Sequence, residues 1–88
     1  MKVYGLEVRQ GRILRKARLG VVRFVIWDST VSWRKYRELE GAMEAAFPRY
    51  WDAPEEYLIV TEDGRVAVPP TAEREDVVFV PDPRFTNL

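Results

Sequence analysis

Residues 33–47, Trp33 to Phe47 (WRKYRELEGAMEAAF), decide how this chain folds. Trp33, Tyr36, Leu39, Met43, Ala46 and Phe47 recur at three- and four-residue steps, with Arg34, Lys35, Glu38, Glu40 and Glu44 on the other side. That spacing predicts one amphipathic helix of roughly four turns. Asp28, Ser29, Thr30 and Ser32 offer side-chain oxygens to cap its start. Pro48 ends it, because the residue before a proline is driven out of the helical region.

Working outward, strand patterns flank the helix on both sides. Tyr4, Leu6 and Val8 alternate with more polar positions, and Gln10-Gly11 follows as a turn signal. Beyond it, Ile13, Arg15, Ala17 and Leu19 share one face of an extended segment, while Leu14, Lys16 and Arg18 share the other, so a basic hairpin arm is expected. Gly20 permits a bend. Residues 21–27, Val-Val-Arg-Phe-Val-Ile-Trp, are β-branched and aromatic and read as a central strand covered on both faces.

After the helix comes a proline-bracketed connector, Pro48 to Pro54, with Tyr50 and Trp51 adjacent in it. Tyr57 to Thr61 and Arg65 to Val68 then read as strands joined across Asp63-Gly64, where a type I′ turn would set Glu62 opposite Arg65. Pro69-Pro70 stops the second of these, and Val77 to Val80 gives a last strand at a sheet edge.

The order is two or three strands, one helix, then three strands. This is an α+β class, a single amphipathic helix packed on a mixed or antiparallel β-sheet. It resembles the β-grasp arrangement of ubiquitin-like proteins as an order of elements. The ending Thr86-Asn87-Leu88 lacks the Gly-Gly those modifiers use, so the resemblance implies no conjugation. At 88 residues the apolar side chains must share one core, expected over residues 1–80, with 81–88 an extended tail.

Composition narrows the chemistry. Cysteine and histidine are both absent, which removes disulfides, thiolate chemistry, the commonest general base and the usual zinc ligands. No glycine-rich phosphate loop and no calcium-type carboxylate loop is present. The expectation is therefore a non-catalytic protein without metal, cofactor or small-molecule substrate. Apolar runs are too short to cross a bilayer and the first residues do not form a leader, so a cytoplasmic setting is expected. One asparagine and one glutamine against eleven arginines and three lysines suit a thermophile, or a GC-rich genome, which gives a similar arginine bias.

The formal net charge is zero, but residues 1–37 hold ten basic and two acidic side chains, and residues 38–88 hold four basic and twelve acidic ones. Such a split suits an anionic partner or self-association, unless strands from the two halves neutralise each other in one sheet. Basic residues in the first helical turns also oppose the macrodipole, which calls for an outside anion or for arginine stems laid over Trp27, Trp33 or Tyr36.

Two docking readings follow. In the preferred one, Arg49, Tyr50, Trp51 and Phe85 anchor a protein partner or a second copy, being residue types that dominate interface energetics. In the alternative, Arg9, Arg12, Arg15, Lys16, Arg18, Arg34, Lys35 and Arg37 track the backbone of DNA or RNA.

Overall fold

The computed structural model describes residues 1–24, 29–69 and 76–86. Its elements are β1 (Lys2–Arg9), β2 (Arg12–Val21), β3 (Thr30–Val31), α1 (Trp33–Ala46), β4 (Tyr57–Thr61), β5 (Arg65–Val68) and β6 (Val77–Pro81), with short 3-10 turns at Pro54–Glu56 and Pro83–Phe85. The six strands form one sheet in the order β2-β1-β4-β5-β6-β3, antiparallel at every pairing. This is the α+β arrangement expected of one helix on one sheet. No helix among the described residues is long and apolar enough to cross a membrane.

α1 begins where Ser32 accepts a hydrogen bond from the Lys35 backbone N–H at 3.1 Å, and closes with Phe47 N–H bonding the Met43 carbonyl at 2.8 Å. Its inner face carries Tyr36, Leu39 and Met43 onto Val3, Tyr57, Ile59, Val77 and Phe79 of the sheet. The opposite sheet face has a smaller cluster, Leu6 and Val60 roofed by Phe85, with Tyr4, Val8, Leu58 and Val66 packed around it.

Several expectations are corrected here. The described part of the stretch 21–27 is not a central strand. Val21 ends β2, Val22 to Phe24 lie outside regular structure, and 25–27 fall outside the described residues. Its apolar character is satisfied by burial instead, Val22 entering the core and Phe24 packing on Phe79 at 5.4 Å between ring centroids. The described part of the tail, 81–86, is not extended either: Pro81 belongs to β6, Asp82 accepts from the Arg84 N–H to start a turn, and Phe85 is only 4% exposed. β6 is no edge strand, since β5 and β3 pair on its two sides.

The turns exchange roles. At Gln10-Gly11 both residues take positive φ, 52° and 74°, the property of a type I′ turn. At Asp63-Gly64 only Gly64 does so, at 85°. There Thr61 organises the reversal: its carbonyl accepts from Gly64 N–H at 3.0 Å and its hydroxyl oxygen from Arg65 N–H at 3.0 Å. Arg65 bonds Asp63 at 3.0 Å rather than Glu62, whose carboxylate accepts from the Lys2 N–H.

Candidate docking surfaces

β2 is the outer strand of the sheet, and it runs antiparallel beside the helix. Arg15 near its start stacks over Phe47 at the helix end, and Gly20 near its finish faces Leu39. Val21 and Arg23 then share an open cavity of about 490 Å³ with Thr30, Ser32, Lys35 and Asp76. The basic strand and the basic helix start thus converge at this end, with one carboxylate beside them.

Two register shifts shape the strand, one opposite Val3/Tyr4 and one opposite Glu7/Val8. The second adds a residue at Leu14, and one extra residue reverses which face the next side chain takes. Ile13 therefore joins Lys16 and Arg18 on the face away from the helix, opposite Val8, Leu6 and Tyr4, instead of sharing a face with Arg15.

The basic residues named from the sequence divide into two groups. Arg15 donates to Glu7 at 2.9 Å, Arg9 pairs with Glu56 at 2.8 Å and reaches Glu7 at 3.5 Å, Lys35 meets Glu38 at 3.3 Å, and Arg37 meets Glu40 at 3.4 Å. Among the described residues, Lys2, Arg12, Lys16, Arg18, Arg23 and Arg34 form no ion pair; Lys16 lies over the Tyr4 ring at 4.8 Å. Lys2 opens β1, Arg12, Lys16 and Arg18 lie on β2, Arg23 follows its end, and Arg34 lies at the helix start. Of the cations on β1 and β2, Arg9 alone among the described residues pairs with an acid of the second half of the chain, because β1 stands between β2 and β4.

The acidic partners are themselves buried, Glu7 to 6% exposure and Glu40 to 7%. Glu7 accepts from the Tyr57 hydroxyl at 2.8 Å as well as from Arg15. Those bonds, the Tyr57 bond first, hold its carboxyl below the usual glutamate range, while burial and the Glu7 charge push Tyr57 up.

Glu40 organises the second surface. It accepts from the Tyr50 hydroxyl at 2.9 Å and from Arg37, whose guanidinium also lies 5.7 Å from the Trp33 ring centre. Burial, then Glu40, raises the pKa of both Tyr36 and Tyr50. Trp33 stacks on Tyr36 at 5.7 Å and Trp51 meets Tyr50 edge-on at 4.7 Å. The two tyrosines are buried, but Trp33 remains 49% exposed and Trp51 50%. A cavity of about 230 Å³ lies beside them, walled by Tyr36, Tyr50, Tyr57, Pro54, Ile59 and Ala67.

The four residues expected to anchor a partner therefore separate. Trp51 and Arg49 are exposed, Arg49 standing 3.9 Å from Glu56. Tyr50 is core because Glu40 satisfies its hydroxyl, and Phe85 is core because it covers Leu6 and Val60. Trp33, expected inside the helix interface, is an exposed member of this surface. It occupies the first helical position, where a side chain can lie outside the stripe that later turns bury. Among the described residues, no three Asp or Glu side chains are grouped as metal ligands would be. Comparison with protein families, with curated proteins and with solved structures finds no match to this chain.

Proposed function

We propose that the chain is a non-catalytic docking module of the cytoplasm that binds a protein partner through Trp33, Trp51 and the flanking Arg37 and Arg49. One observation carries the reading: two half-exposed tryptophans rest against buried tyrosines, one of which, Tyr50, is held by buried Glu40. Tryptophan and arginine on a fixed backing are the residues from which interface hot spots are built, because little side-chain freedom is left to lose on binding.

DNA or RNA binding is the second reading, favoured by the unpaired cations of β2 and the helix start. A strand of ten residues spans roughly 33 Å, enough to follow several phosphates. Protein is preferred because exposed Ile13, Leu14 and Val21 punctuate those cations, and a phosphate backbone gains nothing from them.

The test is a comparison of Trp33→Ala and Trp51→Ala with the parent, after melts establish that each variant folds. Partner binding or self-association is expected to fall at least tenfold in both. Nucleic-acid titrations at several salt concentrations run alongside. A steep salt dependence abolished by substituting Arg15, Lys16 and Arg18, with the tryptophan variants unchanged, overturns the protein reading.

A further inference from the structure

Among the described residues β2 has β1 on one side and no strand on the other, so half of its backbone N–H and C=O groups face outward. Between its two irregularities the ladder is regular: Arg15 pairs with Glu7, Lys16 with Leu6, Ala17 with Gly5 and Arg18 with Tyr4. Lys16 and Arg18 stand two residues apart on the face away from the helix. Neither has an ion-pair partner among the described residues. Apolar side chains flank this segment, Ile13 and Leu14 before it and Val21 after it, each more than two-fifths exposed.

Three requirements fall on whatever covers such an edge: backbone groups to complete the ladder, negative charge opposite Lys16 and Arg18, and apolar side chains at both ends. A second copy of β2 fails the middle one. Two-fold antiparallel pairing through this segment sets Lys16 against itself or against Arg18, and like charges directly opposite each other destabilise a sheet. A nucleic-acid strand supplies charge and neither of the other two.

We propose that β2 takes up an acidic, extended segment of a partner protein as an additional strand of the sheet. The segment carries Asp or Glu at alternate positions in its middle and apolar residues on either side. Backbone bonds supply affinity in this mode and alternate side chains supply selectivity. The cations that keep a second copy away also select the partner. The inference rests on the reading of the chain as a protein-docking module, though not on the tryptophan surface.

The probe is a synthetic peptide of about ten residues in which glutamate alternates with valine, long enough to form one strand. It is titrated into the full chain by calorimetry, with amide exchange of β2 followed in parallel. Saturable binding is expected, with slowed exchange in residues 15–18. Binding should fall at least tenfold for Lys16→Glu with Arg18→Glu and for a peptide N-methylated on alternate amides. Lys16→Gln with Arg18→Gln serves where charge reversal impairs folding, which a thermal melt decides.

Equal binding of the N-methylated peptide overturns strand addition and reduces the edge to a patch of charge. Equal binding of a lysine–valine peptide, or none at millimolar glutamate peptide, overturns the proposal outright. Duplex DNA or RNA that binds while the peptide does not assigns the edge to phosphate. The tryptophan variants keep the readings apart: if Trp33→Ala and Trp51→Ala abolish partner binding while the peptide fails, the docking module stands and only the strand proposal falls.

Discussion

The hydroxyl of Tyr57 donates to Glu7 Oε2 at 2.8 Å, tying together residues 50 positions apart in sequence that face each other across β1 and β4. Arg15 completes the site from β2, so three strands share one carboxylate.

The Glu7 pKa lies below its ordinary value in the folded chain, so the stabilisation it provides is fully present above the pKa of an unfolded glutamate, about 4.3. That stabilisation is lost as pH falls through the lower folded value. Thermal melts between neutral and acid pH should show the midpoint dropping below about pH 4, and Glu7→Gln should show a shallower drop. Asp82, lowered by its bonds to Arg84, contributes in the same direction. An acid slope in Glu7→Gln as steep as the parent's would remove Glu7 from this account.

At the alkaline end the signs reverse. Tyr36, Tyr50 and Tyr57 all have raised pKa values, chiefly through burial, so they stabilise the fold below the unfolded tyrosine value and cease to do so as pH rises through the folded ones. Their tyrosinate absorbance should appear above about pH 10 together with loss of the circular dichroism of α1. Absorbance that rises while the helix stays intact would mean these phenols ionise in place.

Removing one hydroxyl separates packing from hydrogen bonding. Tyr50→Phe keeps the ring against Trp51 and Tyr57 but leaves Glu40 with Arg37 alone, at an expected cost of about 1–3 kcal/mol in chemical denaturation. Tyr50→Ala should cost more, about 3 kcal/mol or above, by opening a cavity as well. Trp33→Ala and Trp51→Ala should each cost only about 1 kcal/mol, the worth of an aromatic pair at a surface. A tryptophan variant as damaging as Tyr50→Ala would make that residue core.

The two turn glycines should respond differently to alanine. Both have positive φ, which costs a β-carbon about 1 kcal/mol, and at Gly11 nothing else lies within 4 Å. At Gly64 a β-carbon would also meet the Phe85 carbonyl oxygen at 2.7 Å, backbone against backbone. Gly64→Ala should therefore be the more destabilising by at least about 1 kcal/mol and should loosen the Phe85 roof, visible as faster exchange of the Phe85 amide. Equal effects at both positions would show that the tail does not rest on this turn.

Local periodicity was enough to place α1, β4 and β5, because each is decided by its own residues: the stripe from Trp33 to Phe47, the apolar run from Tyr57, the strand bounded by Gly64 and Pro69. What escaped was set by distant partners. Residues 21–27 look like a buried strand whether they pair or merely pack, and Val22 and Phe24 pack. Glu40 sits on the polar side of the helix by spacing, and only the return of Tyr50 over it makes it core. Phe85, in a proline-rich ending, gives no local sign that Leu6 and Val60 await it. The charge split was legible, but the order of strands was needed to reveal that β1 keeps β2 away from the acidic half.

That order has a consequence for the moment of synthesis. The β1–β2 hairpin is local, whereas the other side of β1 is filled by residues 57–61. At typical elongation rates of about 5–20 residues per second, roughly 2–7 s pass between the appearance of Val21 and that of Tyr57. For that interval the nascent hairpin has two open edges and an unroofed Leu6. Its protection against sticking to the hairpin of a neighbouring ribosome is the repulsion between its own arginines and lysines, at work before the rest of the fold exists.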